Sequence, residues 1–440
     1  MKILDKIKQK EAKIVVMGLG YVGLPLAVLF AENGFAVTGY DLSEKKVQLI
    51  NSGKSDIIDI NSNRLSIVVN KGLFSGTTDS QCLEEAEIII VCVPTPLTKS
   101  YEPDMSFISA AMNDIQNHFS PNTLIILEST TYPGTSREVI QKPLVEAGHI
   151  LDKDYYICYS PERVDPGNTV YNIENTPKVV GGISKKSTEI GQVLYSQIVK
   201  RVVPVSTTEV AEMSKLLENT FRSINIAFIN EMALLCEKMN IDIWETIDAA
   251  STKPFGFMRF TPGPGIGGHC IPLDPMYLSW KAKESKFFSR FIELAQETNQ
   301  MMPEHVVYKV MTALNQVKKS INGSKILLIG MAYKENINDL RESPSLEIFE
   351  LLQEVGAEVS FCDPLATTFL DIKNEVHTSI ELNYSSMNNY DVVILLTCHD
   401  VFDRDEIVKN SLLLIDTKNY LNKSCTNRIV RIGDSMMNTY

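Results

Sequence analysis

The chain has 440 residues, 44% of them hydrophobic and 22% charged, the composition of a globular protein with core enough for two or three domains. Its formal net charge of −12 argues against a nucleic-acid partner, whose binders are usually basic, and leaves room for a small anionic ligand that feels only local charge. Apolar runs such as "IIIVCVP" at 88–94 are too short to span a bilayer, and "MKILDKIKQKEAK" at the start carries no apolar stretch of the secretory kind, so a cytoplasmic protein with no membrane partner is expected.

The first element, "KIVVM" at 13–17, is an apolar strand. "YVGLPLAVLFAEN" follows as a helix ending at Asn33-Gly34, and "FAVTGY" is a second strand closed by Asp41. This is a βαβ unit. Its turn holds Gly18, Leu19, Gly20, Tyr21, Val22 and Gly23, a G-x-G-x-x-G between strand and helix, with Asp41 18 residues after Gly23. Such glycines let a backbone turn tightly and approach a pyrophosphate at the helix N-terminus. Asp41 would accept from a ribose 2′-OH and repel a 2′-phosphate, so NAD is expected ahead of NADP. Lys46 is either near the adenosine or an exposed helix lysine. FAD uses the same fingerprint, so the turn alone does not define the redox chemistry.

Strand-like runs continue at 87–93, 123–130 and 155–161, alternating with helical patterns. That alternation predicts a parallel sheet covered on both faces. After "VVPVS" at 202–206 the period changes: 208–239 has helical spacing with neither Gly nor Pro, about 48 Å at 1.5 Å rise per residue. A helix of that length is expected to join domains or cross a subunit interface. At 325 the α/β pattern restarts with "KILLIGMAYK", "SPSLEIFELLQEVG", "AEVSFCDP", "DVVILLT" and "LLLIDTKN", and the tail from 427 shows no motif. The expected fold is α/β: two Rossmann-like doubly wound domains, 1–206 and 318–440, joined by a long central helix and a helical middle domain, 207–317, that carries a cysteine loop.

On the long helix Lys215 and Asn219 are four residues apart and share a face. Together they can donate to one oxygen where negative charge develops; by spacing alone a solvated helix face explains them as well. The eight cysteines, at 82, 92, 158, 236, 270, 362, 398 and 425, include no C-x-x-C pair and are expected as free thiols, with Cys92, Cys158 and Cys236 in the core. Cys270 stands apart. It lies in "PGPGIGGHCIPLDP" at 262–275, flanked by glycines that expose backbone, with Asp274 four residues on. A thiolate beside NAD suits oxidation at a carbonyl: sulfur adds to an aldehyde, and the adduct can then give up hydride. A structural cysteine is the alternative, and the lack of a second nearby cysteine disfavours metal binding through His269 and Cys270.

Taken together, "GLGYVGLPLA", "VPTP", "SPERVDPGN", "AEMSKLLENTFRSINIAFINE", "PGPGIGGHCIPLDP" and "GMAYKENINDLRESPS" resemble, in order and over most of the chain, the UDP-glucose/GDP-mannose dehydrogenase family. The resemblance implies a homodimer built on the central helix. It implies NAD as cofactor and oxidation of the C6 alcohol of a nucleotide sugar to a carboxylate with two NAD⁺ in succession. By motif it makes Cys270 the nucleophile, Lys215 and Asn219 the oxyanion donors, and Asp274 a water holder or base. Glu162 would activate the water that hydrolyses a thioester, with Thr130 supporting that water near the nicotinamide. Thr95, Thr130 and Arg341 would join Lys46 and the glycine turn in holding cofactor. Arg163, Arg259, Gly265, Gly267 and Lys334 would join Glu162, Lys215 and Asn219 in holding substrate.

"GGHC", where UDP-glucose and GDP-mannose enzymes usually carry "GGSC", is similar to the branch acting on UDP-N-acetylhexosamines. UDP-N-acetylglucosamine is the expected substrate, with the UDP-N-acetylmannosamine, UDP-N-acetylgalactosamine and UDP-glucose activities as alternatives. Arg259 stands where that branch often has Pro, and Lys418 where it frequently has Arg, which a lysine cannot replace in a bidentate contact. More distant readings are a single-step dehydrogenase of the β-hydroxyacid type, which would not need Cys270, and a non-catalytic NAD-binding regulator.

Overall fold

The structure is a computed structural model that describes residues 3–57, 60–98, 102–165, 168, 170–421 and 429–434. The chain divides into two compact units, 1–218 with 276–287, and 219–275 with 288–440.

In the first unit, strands β1 (Ile14–Met17), β2 (Val37–Tyr40), β3 (Phe74–Thr77), β4 (Ile88–Val91), β5 (Thr123–Leu127), β6 (Tyr155–Tyr159), β7 (Lys178–Gly182) and β8 (Val202–Val205) form one sheet in the order β3-β2-β1-β4-β5-β6-β7-β8. Every pair is parallel except β6 with β7. The continuous apolar runs follow from burial on both faces. Val16, Ile88, Ile90, Leu124 and Ile126 pack into one core layer, while Val15, Met17, Ile89, Ile125 and Leu127 pack into the other. The chain order reverses between β1 and β4, and in such sheets the crevice at the carboxyl ends of those strands receives the ligand.

The second unit repeats the plan with β9 (Lys325–Ile329), β10 (Glu358–Cys362), the antiparallel hairpin β11 (Thr368–Leu370) and β12 (Val376–Thr378), β13 (Val392–Leu395), β14 (Leu414–Asp416) and β15 (Ile429–Arg431). The five-stranded sheet runs β10-β9-β13-β14-β15, all parallel. The short hairpin and β15, with three residues per strand, have no counterpart among the sequence expectations: such segments are too short for a period to register. The expected α/β class, with one parallel-rich sheet before and one after a long helix in chain order, is the class found. That helix runs Thr208–Met239, the full span expected from its spacing.

One device occurs in both units. The residue after each opening strand is a left-handed glycine, Gly18 (φ 87°) and Gly330 (φ 82°). A Cβ on Gly18 would lie 2.8 Å from the Cys92 carbonyl oxygen, and one on Gly330 would lie 1.9 Å from that of Thr397. Each glycine therefore turns the chain tightly over the backbone that leaves the neighbouring strand. Among the described residues no helix is long and apolar enough to cross a membrane.

Candidate active site

The glycine turn has a steric reason at each end and an open centre. A Cβ on Gly23 would fall 1.8 Å from the Gly18 carbonyl oxygen, so the helix Gly23–Glu32 sits directly against the turn. Gly20 has no described atom within 4 Å of where a Cβ would be. Packing does not require that glycine; close approach of a ligand to the backbone does. Val22, the residue before the helix, provides no side-chain cap; Leu24 N–H donates to the Gly20 carbonyl at 3.1 Å and Pro25 has no N–H, so a phosphate at this helix start would be met by the turn backbone around Gly20 and the positive end of the helix dipole. Asp41 Oδ2 accepts from the Leu19 backbone N–H at 2.9 Å, its Oδ1 accepts from Ser43 N–H at 2.9 Å, and the Lys46 ammonium reaches the Leu19 carbonyl at 3.4 Å. Asp41, Lys46 and the turn are thus one assembly, and these residues fit an adenine dinucleotide. Tyr21 is partly exposed beside them.

A second assembly gathers around the loop after β5. The Lys215 ammonium donates to Thr130 Oγ1 at 2.5 Å, and Lys215 is buried. Glu212, one turn earlier on the long helix, is fully buried and accepts from Gly134 N–H at 2.6 Å, Ser136 N–H at 2.9 Å and the Ser136 hydroxyl at 2.8 Å. It clamps the helix start to the loop and so sets the Lys215–Thr130 contact. Burial pushes the Glu212 carboxyl up, against those three donors. The buried Thr95 carbonyl accepts from the Tyr277 hydroxyl at 2.9 Å, which ties the "VPTP" segment down.

Glu162 has a buried surround that sequence reading missed. Its Oε1 accepts from Arg163 N–H and Val164 N–H, each at 2.7 Å, and its Oε2 lies 3.3 Å from the Lys178 ammonium. Lys178, at the start of β7, donates also to Glu128 Oε2 at 2.7 Å, and the Tyr195 hydroxyl donates to the other oxygen of Glu128. Burial alone would raise the Glu162 carboxyl, but Lys178 and the two backbone donors outweigh it and hold it below the usual carboxylate range. Burial would lower Lys178, and its two carboxylates reverse that and raise it. Burial pushes Glu128 up, against the pull of Lys178. The available signal was Glu128 itself, an acid closing the otherwise apolar run "TLIILE". Arg163 is engaged by Glu218, at 3.0 Å from Nε and 2.7 Å from Nη2, and by the Pro177 carbonyl.

In the second unit the cysteine loop is fastened from three sides. Gly263 N–H donates to Asn230 Oδ1 at 3.0 Å, Asn230 donates to Asn299 at 3.0 Å, and Asn299 donates to the Ser223 carbonyl at 3.3 Å. Gly268 N–H donates to the Arg341 carbonyl at 3.0 Å. Gly265 (φ 134°) lies against Pro344, and Gly267 against Tyr333. The loop closes with Asp274 N–H donating to the Cys270 carbonyl at 2.8 Å, where the helix Asp274–Glu284 begins. Asp274 is buried, and its Oδ2 accepts from the Asn219 amide at 2.6 Å. Cys270 is exposed, while Cys92, Cys158, Cys362 and Cys398 are buried. Cys236 is only half-buried rather than in the core as expected, because its helix turn packs against the core at an edge; Cys425 lies outside the described residues.

Other expected binding residues are distributed around the second unit. Lys334 is half-buried in the turn after β9. Arg341 is held by Asp339, with Nη2 2.6 Å from Oδ2. Arg259 is exposed and donates to Asp248 at 2.6 Å. Lys418 lies beside the cysteine loop, its Cε 3.6 Å from where a Cβ on Gly263 would stand.

Comparison with known proteins gives the family of the chain. Residues 12–199 match the NAD binding domain of the UDP-glucose/GDP-mannose dehydrogenase family, 209–301 its central domain and 327–423 its UDP binding domain. UDP-N-acetyl-D-mannosamine dehydrogenase of Methanococcus vannielii is 36% identical over 437 residues, covering 94% of each chain. The solved structure of the UDP-D-ManNAc dehydrogenase of Pyrococcus horikoshii is similar at TM-score 0.87 and 31% identity, over 96% of this chain and 99% of that one. An NDP-N-acetyl-D-galactosaminuronic acid dehydrogenase of Methanosarcina mazei is similar at TM-score 0.82 and 28% identity, over 99% and 98%. With a glycine turn fitted to a dinucleotide and an exposed cysteine ahead of a hydrogen-bonded Asn–Asp pair, the chain belongs to the UDP-glucose/GDP-mannose dehydrogenase family and is an NAD-dependent UDP-sugar dehydrogenase.

Proposed function

We propose that the chain oxidises the C6 hydroxyl of a UDP-N-acetylhexosamine to the carboxylate, with UDP-N-acetyl-D-mannosamine as the first choice of sugar. The sugar rests on the names of relatives that align over nearly the full chain. UDP-N-acetylglucosamine, expected from the sequence resemblance, is the second choice. Two NAD⁺, bound in succession at the glycine turn, would each supply the acceptor for one hydride.

The chain's own residues do the rest. Lys215 and Asn219 present an ammonium and an amide from successive turns of one helix face, where they stabilise negative charge on the reacting oxygen. The Cys270 thiolate adds to the aldehyde carbon formed in the first oxidation, and the resulting hemithioacetal oxygen carries the charge needed to expel hydride. The second oxidation leaves a thioester on Cys270. One water then enters, the acid leaves and the thiolate returns. Glu162, held ionised by Lys178 and two backbone N–H groups, acts on that water chiefly by orienting it, since a lowered pKa makes a weak base. Asp274, buried and bonded to Asn219, fixes the amide and holds a water.

The chain is further read as a homodimer. Val210, Leu217, Phe221, Phe228, Leu235 and Met239 are all exposed on the long helix, at spacings of seven and four that form a continuous apolar seam.

The observation that carries the chemistry is the exposed Cys270 four residues before buried Asp274, whose carboxylate accepts from the half-buried Asn219. A panel of UDP- and GDP-sugars with NADH recorded per sugar tests it, and two NADH are expected. Cys270→Ser should lose about 10³-fold or more in kcat, roughly 4 kcal/mol of barrier, and stop near one NADH per site in a single turnover. Two NADH at a near-normal rate from that variant would return the site to the single-step reading.

A further inference from the structure

Asp363 and His399, distant in sequence from the cysteine loop, are both fully buried in the second unit. Asp363 follows β10. Its Oδ2 accepts from Met331 N–H at 2.7 Å and Ala332 N–H at 3.0 Å, while its Oδ1 accepts from Leu365 and Ala366 N–H, each at 2.9 Å. His399, after β13, lies with Nε2 3.1 Å from the same Oδ2. Its Nδ1 is 2.8 Å from the Asn336 backbone N–H. That N–H can only donate, so Nδ1 is the acceptor and Nε2 carries the proton that Asp363 receives. The pair therefore grips the turn after β9 at both ends, at 331–332 through the carboxylate and at 336 through the imidazole. Gly330 starts this turn in the left-handed region, and Asn336 ends it there with φ 61°. A backbone so bent needs fixed partners.

Tyr333 stands in the middle of the turn. A Cβ on Gly267 would come within 2.5 Å of Tyr333 Cβ, and one on Gly268 within 2.9 Å of its ring. Those two glycines are the seat of the cysteine loop, two and three residues before Cys270. Gly268 is left-handed (φ 90°), so the loop can fold there only if its neighbour stays out of the way.

We propose that Asp363 and His399 are positioning residues for Cys270, acting through the gripped turn 330–336 and the Tyr333 side chain on which Gly267 and Gly268 rest. The inference rests on the reading of Cys270 as nucleophile only for its effect on turnover; its effect on the loop does not.

The test uses the full-length enzyme and separates the two ring nitrogens. Asn has an oxygen where Nδ1 stood and keeps the acceptor for Asn336; Gln has a nitrogen near where Nε2 stood and keeps only the donor to Asp363. His399→Gln and Tyr333→Ala should each lower kcat by about tenfold, with KM for the UDP-sugar and affinity for UDP alone within about threefold. The double variant should be little worse than either single one, because residues acting in series are not additive. His399→Asn should recover most of the loss. The rate of Cys270 alkylation by iodoacetamide, followed by mass spectrometry on folded protein, should change in both single variants by a similar factor. Altered alkylation with normal turnover would leave the latch standing and remove Cys270 from the reaction. Additive losses, or losses explained by weaker UDP binding or a lower melting temperature with wild-type alkylation, would overturn the latch.

Discussion

Lys178 illustrates how much one side chain can decide here. It is the counter-ion of both Glu128 and Glu162, and all three are enclosed. Removing one partner of a buried ion pair leaves the other uncompensated and costs about 3–5 kcal/mol. Lys178→Met should therefore lower the unfolding free energy obtained from a urea titration by an amount of that order, and an unchanged value would mean the cluster is stabilised some other way. It should also change the pH profile. Lys178 lowers the Glu162 carboxyl against burial; without it that pKa rises, the ionised fraction at neutral pH falls, and the acid limb of kcat moves to higher pH. An acid limb that stays where it was would separate Glu162 from hydrolysis. Of this cluster only Glu162 was legible in the sequence. Lys178 and Glu128 are 50 residues apart, and no local pattern reports that two strands will bring them together.

At the scale of elements the long helix was fully legible, since 32 residues without Gly or Pro leave few alternatives. Its spacing also put Lys215 and Asn219 on one face. What the helix touches was not legible: Glu212 reads as an ordinary exposed acid until the loop after β5 is seen to deliver Gly134 and Ser136 to it. The outward seam yields a direct test. Phe228→Glu with Leu235→Glu places two charges in a seam that a second copy would cover, and should convert a dimer to a monomer by light scattering while leaving helix content unchanged. A variant that remains dimeric would assign the seam another role or none.

Across the whole molecule, stability against acid should be set partly by Asp363. Burial would raise its carboxyl, but His399 and the Ala366 and Ala332 N–H groups bring it down from 3.8 to about 2. A depressed carboxylate contributes stability that is present above its unfolded pKa and lost as pH falls through the folded one. The melting difference between the natural protein and Asp363→Asn should thus be largest near neutrality and shrink as pH falls from about 4 to about 2. A difference constant across that window would show that the carboxylate's charge is not what holds the turn.

The sequence by itself determined the local things: apolar runs that must be strands buried on two faces, a helix with nothing to break it, glycines where a turn is too tight for a Cβ, and a cysteine set in a loop of glycines and prolines. Each of these depends on residues within a few positions of one another, and so can be read along the chain. The tertiary structure alone decided the partners. Glu162 meets Lys178, Glu212 meets Ser136, Asn219 meets Asp274 and Asp363 meets His399 because the order of strands and the path of the loops carry them together. A buried charge or amide has to find such a partner, but which one it finds is a property of the packed fold.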